Sequence, residues 1–473
     1  MNSMLDARPR VAGPLDPGFA PAALANRRYR DAVKKAGKGV PVAIAVEREN
    51  GLVYRSDLAV LPQNAATDAD TLKVVERHIK SLLWAVGGWR VFVSGPSYIG
   101  EYIRQAYKTG GARGFDTDVM ATSYDRAFAV EVVGASDVPK RRESASPIGG
   151  HLEGCRIGFD LGASDYKLAA VVNGEAVFST EIPWTPSVQK DPSYHFTYIM
   201  KGLKEAAAHM PRVDAIGGSA AGIYVDNRPK IGSLFRSVPK DLFAAKVNPM
   251  FVEMQKEWGV PFVVANDGDV TALAGAMSLK RNAMLGIAMG SSQAGGFLNA
   301  KGCITGQLNE LAFVPVDFNP AAVADEWSGD RGVGALYFSQ QAVNKLAPSA
   351  GFLLPADMPL PERLKAIQAK ADGGDAAAEK IFATIGVYLG YGLAHYTDYY
   401  DYENVLVLGR VMSGRGGEII IAKAREVMEA EFPEIAARVS IHIPDEASRR
   451  VGQAVAAASL PEIGKRKKTA RRK

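Results

Sequence analysis

One pattern recurs along this 473-residue chain and limits its fold more than any other: a short apolar run that stops at Gly, Ser or Asp. Arg156–Asp160 leads into Leu-Gly-Ala-Ser, Ala215 opens a run into Gly217-Gly-Ser219, and Val260–Ala265 stops at Asn266-Asp267. Ala283–Met289 stops at Gly290-Ser-Ser292, and Asn404–Leu408 runs into Gly409-Arg-Val-Met-Ser-Gly414. Runs of this length are strands, and the stretches Tyr198–His209, Asp269–Ser278 and Ala376–Tyr399 read as helices between them. Strands alternating with helices give an α/β protein. Such proteins bind ligands where strands end, because backbone N–H groups and short side chains reach the crevice there.

Composition narrows the class. With 47% hydrophobic and 23% charged residues the chain is neither collagenous nor wholly disordered. Two cysteines, Cys155 and Cys303, cannot build a disulfide framework or a Cys-rich zinc site and read as ordinary thiols. No apolar run approaches the roughly 18–20 residues of a membrane helix, and the N-terminus lacks the pattern of a secretory signal. A soluble, cytoplasmic protein with no membrane partner is expected. The net charge of +5 is misleading: Lys465–Lys473 carries seven positive charges, and removing them leaves the rest of the chain at −2. That tail reads as a solubilising terminus, capable at most of weak, non-specific contact with nucleic acid phosphates.

The expected organisation has five parts. Residues 1–38, with Pro9, Pro14, Pro17 and Pro21, read as a flexible arm that becomes basic and helix-compatible from Asn26. Residues 39–133 form an N-terminal α/β extension: strands Val40–Glu47 and Leu52–Leu61 about an Asn50-Gly51 turn, a helix over Thr71–Val86, then strand Trp89–Ser94 and helix Tyr98–Tyr107. Residues 134–153 are a linker, 154–463 the core and 464–473 the tail.

The chemistry concentrates in that core. In Asp160-Leu-Gly-Ala-Ser-Asp-Tyr-Lys167, Gly162 lets backbone approach an anion, Ser164 offers a hydroxyl and Asp160 can face a Mg²⁺-bound phosphate. A plain hairpin turn explains the segment equally well. Gly290-Ser-Ser-Gln-Ala-Gly-Gly296 is either a second phosphate cradle or a surface loop. His195 has no partner at metal spacing and reads as a packed or surface histidine.

Taken in order, five blocks resemble the sugar-kinase, Hsp70 and actin superfamily, and within it the ROK family of bacterial sugar kinases and sugar-responsive repressors. Asp160–Lys167 is similar to the phosphate-1 pattern D-x-G-G-T-x-x-K. Ala215-Ile-Gly-Gly-Ser-Ala-Ala-Gly222 with Asp226 is similar to G-x-x-x-P-G-x-x-D without its proline. Val263-Val-Ala-Asn-Asp267 resembles V-x-E-N-D, Leu285–Ser292 the phosphate-2 loop, and Gly386–Ala394 with Val405–Gly409 the adenosine-side helix and strand. The resemblance spans roughly residues 154–460. It implies a two-lobed actin-like ATPase (ribonuclease H-like) fold closing around its ligands. It also implies ATP and Mg²⁺ as cofactors and a small-molecule sugar as substrate, with self-association left open. Asp267 would be the general base and Asn266 a ligand of a sugar hydroxyl. Asp160 would help hold Mg²⁺ through water; Gly162, Ser164, Gly290, Ser291 and Ser292 would hold phosphates, and Gly409 and Gly414 would bracket adenosine. Lys167 matches the motif lysine and equally reads as a solvated strand residue.

The departures concern the sugar. ROK kinases carry G-E-x-G-H followed by C-x-C-G-x-x-G-C-x-E, in which the His and three Cys hold a structural zinc. Here Asn309-Glu-Leu-Ala-Phe313 keeps Glu310 but has Phe313 for the histidine. Glu326-Trp-Ser-Gly-Asp-Arg-Gly-Val-Gly-Ala335 keeps Gly329 and Gly332 but no cysteine, and Ala335 stands where the last glutamate would be. Losing all four ligands together predicts a chain without this zinc. In Asp325-Glu-Trp-Ser-Gly-Asp330, Asp325 and Glu326 beside Trp327 suit a polyhydroxylated ligand, although a polar surface loop is an equal alternative. Arg236, Trp184-Thr-Pro186 and Tyr337-Phe-Ser-Gln-Gln341 read as structural. The expected activity is ATP-dependent phosphorylation of a sugar or polyol hydroxyl. The competing reading is a catalytically inactive sugar- or nucleotide-binding regulator of the ROK type. No helix-turn-helix precedes residue 80, which argues against a DNA-reading repressor.

Overall fold

A computed structural model describes residues 3–143, 148–162, 165–443 and 446–463. Ser164 and the basic tail 464–473 lie outside the described residues, as does part of the linker. The chain forms two compact units. Unit 1 is built from 1–145, 285–297 and 306–443, and unit 2 from 146–284, 298–305 and 444–473. Each unit is thus assembled from segments distant in sequence, which is why a linear division into arm, extension and core does not match them.

The N-terminal sheet of unit 1 contains β1 (Val40–Glu47), β2 (Val53–Val60), β3 (Arg90–Ser94) and β4 (Ala129–Val132) in the order β2-β1-β3-β4. Its first hairpin turns at Asn50 and Gly51, whose φ values of 54° and 65° are the left-handed conformations this dipeptide tolerates. The helix Asp68–Ala85 follows, with Asp68 and Asp70 in its first turn, where they complement the helix dipole. The extension is not a separate domain. Val75, Ile79, Leu82 and Trp84 share one apolar core with Leu285, Ile287, Leu336, Tyr388 and Val405.

Residues 1–38 depart from the expected flexible arm. They include the helix Ala22–Ala36, whose Ala22–Ala25 and Tyr29 are buried in that same core. Ala22 N–H donates to Val316 O (2.9 Å), and the Tyr388 hydroxyl donates to Asp16. The prolines fix an ordered path rather than a loose one. This route depends on partners in the C-terminal half of the chain, so local composition did not reveal it.

Unit 2 is centred on a five-stranded sheet. Its strands are β5 (Cys155–Leu161), β6 (Asp165–Val172), β7 (Glu175–Pro183), β8 (Ala215–Ala220) and, after the short hairpin β9 (Ile223–Val225) and β10 (Arg228–Ile231), β11 (Phe262–Asn266). The order is β11-β8-β5-β6-β7. The β5–β6–β7 meander is antiparallel and β11–β8–β5 is parallel. Unit 1 has a second sheet, with β12 (Met284–Met289), β13 (Gln293–Leu298), β14 (Asn404–Leu408) and β15 (Ser440–His442) in the order β13-β12-β14-β15. Among the described residues no helix is long and apolar enough to cross a membrane.

Close packing of the helix Glu446–Ala458 on β5 and β8 sets the shape of unit 2. Gly158 and Gly217 face each other in the β5–β8 register. A Cβ on Gly158 would strike the carbonyl of Ala454, and one on Gly217 that of Ala457. The helix backbone therefore lies directly on the strands. The buried Arg156 donates to Ala458 O and Pro461 O (3.3 and 2.7 Å), placing a cation at the helix C-terminus. Gly217 thus has a packing role against the helix, and Gly218 one against the Phe159 ring of β5. Gly158→Ala should cost about 1–3 kcal/mol or more in urea unfolding, because neither backbone can yield to the added methyl. Gly452→Ala, on the same helix with open space around it, should be neutral or stabilising. A neutral Gly158→Ala would contradict the backbone-on-backbone packing.

Candidate functional site

In unit 2, the ends of β5, β8 and β11 bring the carboxylates together. Asp160 lies on β5 opposite Ser219 of β8 and Lys167 of β6. It is nearly buried, and Ser219 Oγ donates to its Oδ1 (2.7 Å). Gln453 Nε2 donates in turn to Ser219 Oγ (3.3 Å) and Thr271 Oγ1 (3.2 Å). Burial raises the Asp160 pKa, while the Ser219 hydrogen bond and the Lys167 charge oppose that rise. Lys167, half-buried, is thereby close enough to act on Asp160 electrostatically.

β11 delivers Asn266 and Asp267 to the start of the helix Asp267–Leu279. Asn266 is its N-cap: Oδ1 accepts the Gly268 N–H (2.7 Å), while Nδ2 donates to Gly222 O (2.7 Å). The side chain expected to meet a sugar hydroxyl is thus already engaged at both ends by its own unit. Asp267 Oδ1 accepts the Gly268 N–H (3.0 Å). Burial, and then the charge of Asp160, push the Asp267 pKa up to about 6, against the partial relief of that N–H.

The phosphate-1 turn is locally closed. Gly162 N–H donates to Asp165 O (2.9 Å), its carbonyl accepts from Trp184 Nε1 (2.8 Å), and a Cβ would meet Asp165 O at 2.7 Å. Trp184 is therefore structural, and it pins this turn. His195 is buried, with Nε2 3.1 Å from both Pro186 O and Leu234 O, so it is a packed histidine.

In unit 1, the phosphate-2 turn joins β12 to β13. Gly290 N–H donates to Ser292 O (3.0 Å), and Ser291 and Ser292 are exposed. Gln293 turns inward and donates to the Tyr396 hydroxyl (3.0 Å), so its side chain leaves the turn's outer face clear. Gly409, at φ 104°, ends β14 against the backbone of Met289, which leaves no room for a Cβ. Gly414, at φ 65°, opens the helix Gly414–Glu431, whose Arg415 N–H is capped by Asp372 (2.9 Å). Both glycines are required by the backbone alone.

The loop expected to meet a sugar is built differently from its sequence reading. Asp325 is buried, and its Oδ2 accepts from Trp327 N–H (3.2 Å), Ser328 N–H (2.7 Å) and Ser328 Oγ (2.7 Å). It organises the loop through Oδ2. Asp330 pairs with Arg77, Lys80 and Arg113. Glu326 is exposed beside Trp327, which is 73% exposed, and Glu310 is half-buried. Sequence reasoning missed Ser219, Thr271 and Gln453, because their relation to Asp160 exists only once β5, β8 and the C-terminal helix are packed. Among the described residues no group of three His, Cys, Asp or Glu is arranged to hold a metal.

A raised carboxyl pKa links this site to stability. The folded chain keeps the Asp267 proton up to about pH 6, whereas an unfolded aspartate loses it near 4. This group's contribution is therefore full below pH 4 and lost as pH rises through 6. Asp267→Asn should raise the melting temperature at pH 7.5 by roughly 1–3 °C, with the difference vanishing near pH 4. A variant less stable at pH 7.5 would contradict the strained carboxylate.

No family profile matches this chain, and no curated protein matches it. Solved structures do. A ROK hexokinase from Thermus thermophilus superposes with a TM-score of 0.50 at 17% identity, covering 64% of this chain and 97% of that one. A ROK family transcriptional regulator, described as a homolog of the E. coli MLC protein, gives 0.51 at 18% identity, covering 65% and 78%. The fold implied by the five blocks is the fold observed: this chain shares the actin-like ATPase architecture of ROK-family sugar kinases and regulators.

Proposed function

We propose that this protein transfers the γ-phosphoryl group of ATP to a hydroxyl of a sugar or sugar-like polyol, with Asp267 accepting the hydroxyl proton. What supports this reading is the placement of Asp267 at the end of β11 near Asp160 of β5, where burial and that neighbouring charge push its pKa up to about 6. A carboxylate of that basicity is ionised at neutral pH yet takes up a proton readily, which suits a general base. Phosphoryl transfer otherwise asks for positioning and charge stabilisation, and a stronger base is unnecessary.

A carboxylate whose charge raises the pKa of its neighbour, as Asp160 does that of Asp267, fits a divalent cation, and Mg²⁺ needs few protein ligands beside several waters. Asp160, held by Ser219, is the residue assigned to it; when bound, the ion would neutralise phosphate charge. The exposed Ser291-Ser292 turn is assigned to phosphates, with Gly409 and Gly414 on the adenosine side. Glu310 and Glu326 are assigned to sugar hydroxyls, with the Trp327 face for sugar C–H groups. Asn266 is assigned to the start of the helix that carries Asp267, and Asp325 to the loop. Such an enzyme would work in the cytoplasm, where ATP is available.

A binding protein without catalysis is the second reading, favoured by Asn266 being engaged internally at both its amide oxygen and nitrogen. The two separate in one assay. Incubation with Mg-ATP and a panel of hexoses, amino sugars and polyols should release ADP with at least one compound. Asp267→Asn should lower that rate by about 100-fold or more while leaving ATP affinity nearly unchanged. Background ADP release with every compound would support the binding protein and refute the kinase.

A further inference from the structure

Unit 1 contains a connected set of buried groups that the proposed chemistry does not use. It ties the helix Asp68–Ala85 to two segments: 308–313, which carries Glu310, and 325–332, which carries Glu326 and Trp327. On the first, Leu308, Asn309 and Glu310 donate their N–H groups to Val86 O, Ala85 O and Trp84 O (3.1, 3.0 and 2.9 Å). The Phe313 ring packs 4.3 Å from Trp84 and 5.3 Å from Phe115. On the second, Asp330 receives Arg77 (2.5 Å), Arg113 (2.9 Å) and Lys80 (3.2 Å).

The two ends are joined through buried polar groups. Trp84 Nε1 donates to Asp116 Oδ1 (2.5 Å), which also accepts from Lys80 Nζ (2.6 Å), and Lys80 reaches Asp330. Glu76 completes the set by pairing with Arg113 (2.5 Å) and Arg77 (3.6 Å). Three cations therefore face three carboxylates, and none of the six side chains is more than 15% exposed. Burial alone would raise the Asp330 pKa, but Lys80, Arg77 and Arg113 outweigh it and hold the carboxyl well below the usual range. Buried charges are tolerated only when paired in this way, and removing one partner leaves the others uncompensated.

The positions reached are the two that the motif comparison marked. Phe313 replaces the histidine, and the segment about Gly329 and Gly332 replaces the cysteine loop, of the zinc motif that this chain lacks. We infer that the N-terminal extension is the built-in substitute for that metal. The path Phe313–Trp84–Asp116–Lys80–Asp330 cross-links segments 308–313 and 325–332 and fixes how Glu310, Glu326 and Trp327 are presented. Asp330 and Lys80 are thus positioning residues and not ligands. The cross-link operates whichever activity the chain has, and it gives a task to an extension that the motif-bearing span does not explain.

Hydrogen exchange on the full-length protein tests it. In Asp330→Asn, amides of 325–332 should exchange about tenfold faster or more, whereas those of β5 and β6 in unit 2 should keep the parent rate. Lys80→Met should loosen 308–313 and 325–332 together, because it cuts the path at its centre. Arg113→Gln, which leaves Asp330 two cations, is the milder variant should either unfold, and it should raise exchange in 325–332 by a smaller factor. Added EDTA should change neither segment in the parent. Parental exchange rates at 325–332 in both Asp330→Asn and Arg113→Gln would overturn the inference. Loosening of these segments by EDTA would also overturn it, since a bound metal would then be holding them.

Discussion

The contact on which unit 2 depends most is that between the strand pair Gly158–Gly217 and the carbonyls of Ala454 and Ala457. Packed sheets normally stand about 10 Å apart, held off by their side chains. Here two opposed glycines remove that spacer and let a helix backbone descend onto the strands. The approach places Gln453 against Ser219 and Thr271, and Ser219 against Asp160. The orientation of one carboxylate thus follows from two absent side chains. Asp160 then acts on Asp267, whose own position is set by the Asn266 cap at the end of β11.

Unit 1 solves a different problem with charge. Segment 308–313 has apolar anchors in Leu311 and Phe313, but 325–332 is mostly polar and Gly-rich and needs a tether to hold a fixed shape. Backbone bonds from the end of one helix, a three-ring aromatic contact and a balanced set of six buried charges supply it. The pairing is costly to build, because every charge must leave water, and it is correspondingly intolerant of a missing member. It also removes Asp330 from the list of groups open to a ligand.

Local elements were legible in the residues because their signals are local. Asn50-Gly51 has the turn chemistry its φ values require, the Asn404–Leu408 strand was bounded by its glycine, and the Asp267 helix by its cap. The order of five motif blocks was enough to indicate the architecture. What was not legible depends on long-range assembly. The proline-rich start is ordered by partners such as Thr384 and Val316, and Gly217 serves helix packing, which its own segment does not reveal. Asp325 and Asp330 looked alike in sequence, yet one caps its own loop and the other joins an ion cluster built by a distant helix. Composition cannot distinguish a carboxylate held for structure from one held for chemistry; its neighbours do.

The proposed chemistry rests on Asp267 being a carboxylate tuned for proton transfer. The pH dependence of kcat/KM for phosphoryl transfer to the best acceptor tests this most directly, because its acid limb reports the base of the free enzyme. A base tuned in this way predicts a unit-slope limb with an apparent pKa near 6 that is absent from the residual activity of Asp267→Asn. A limb near 4, or one that persists in Asp267→Asn, would contradict it.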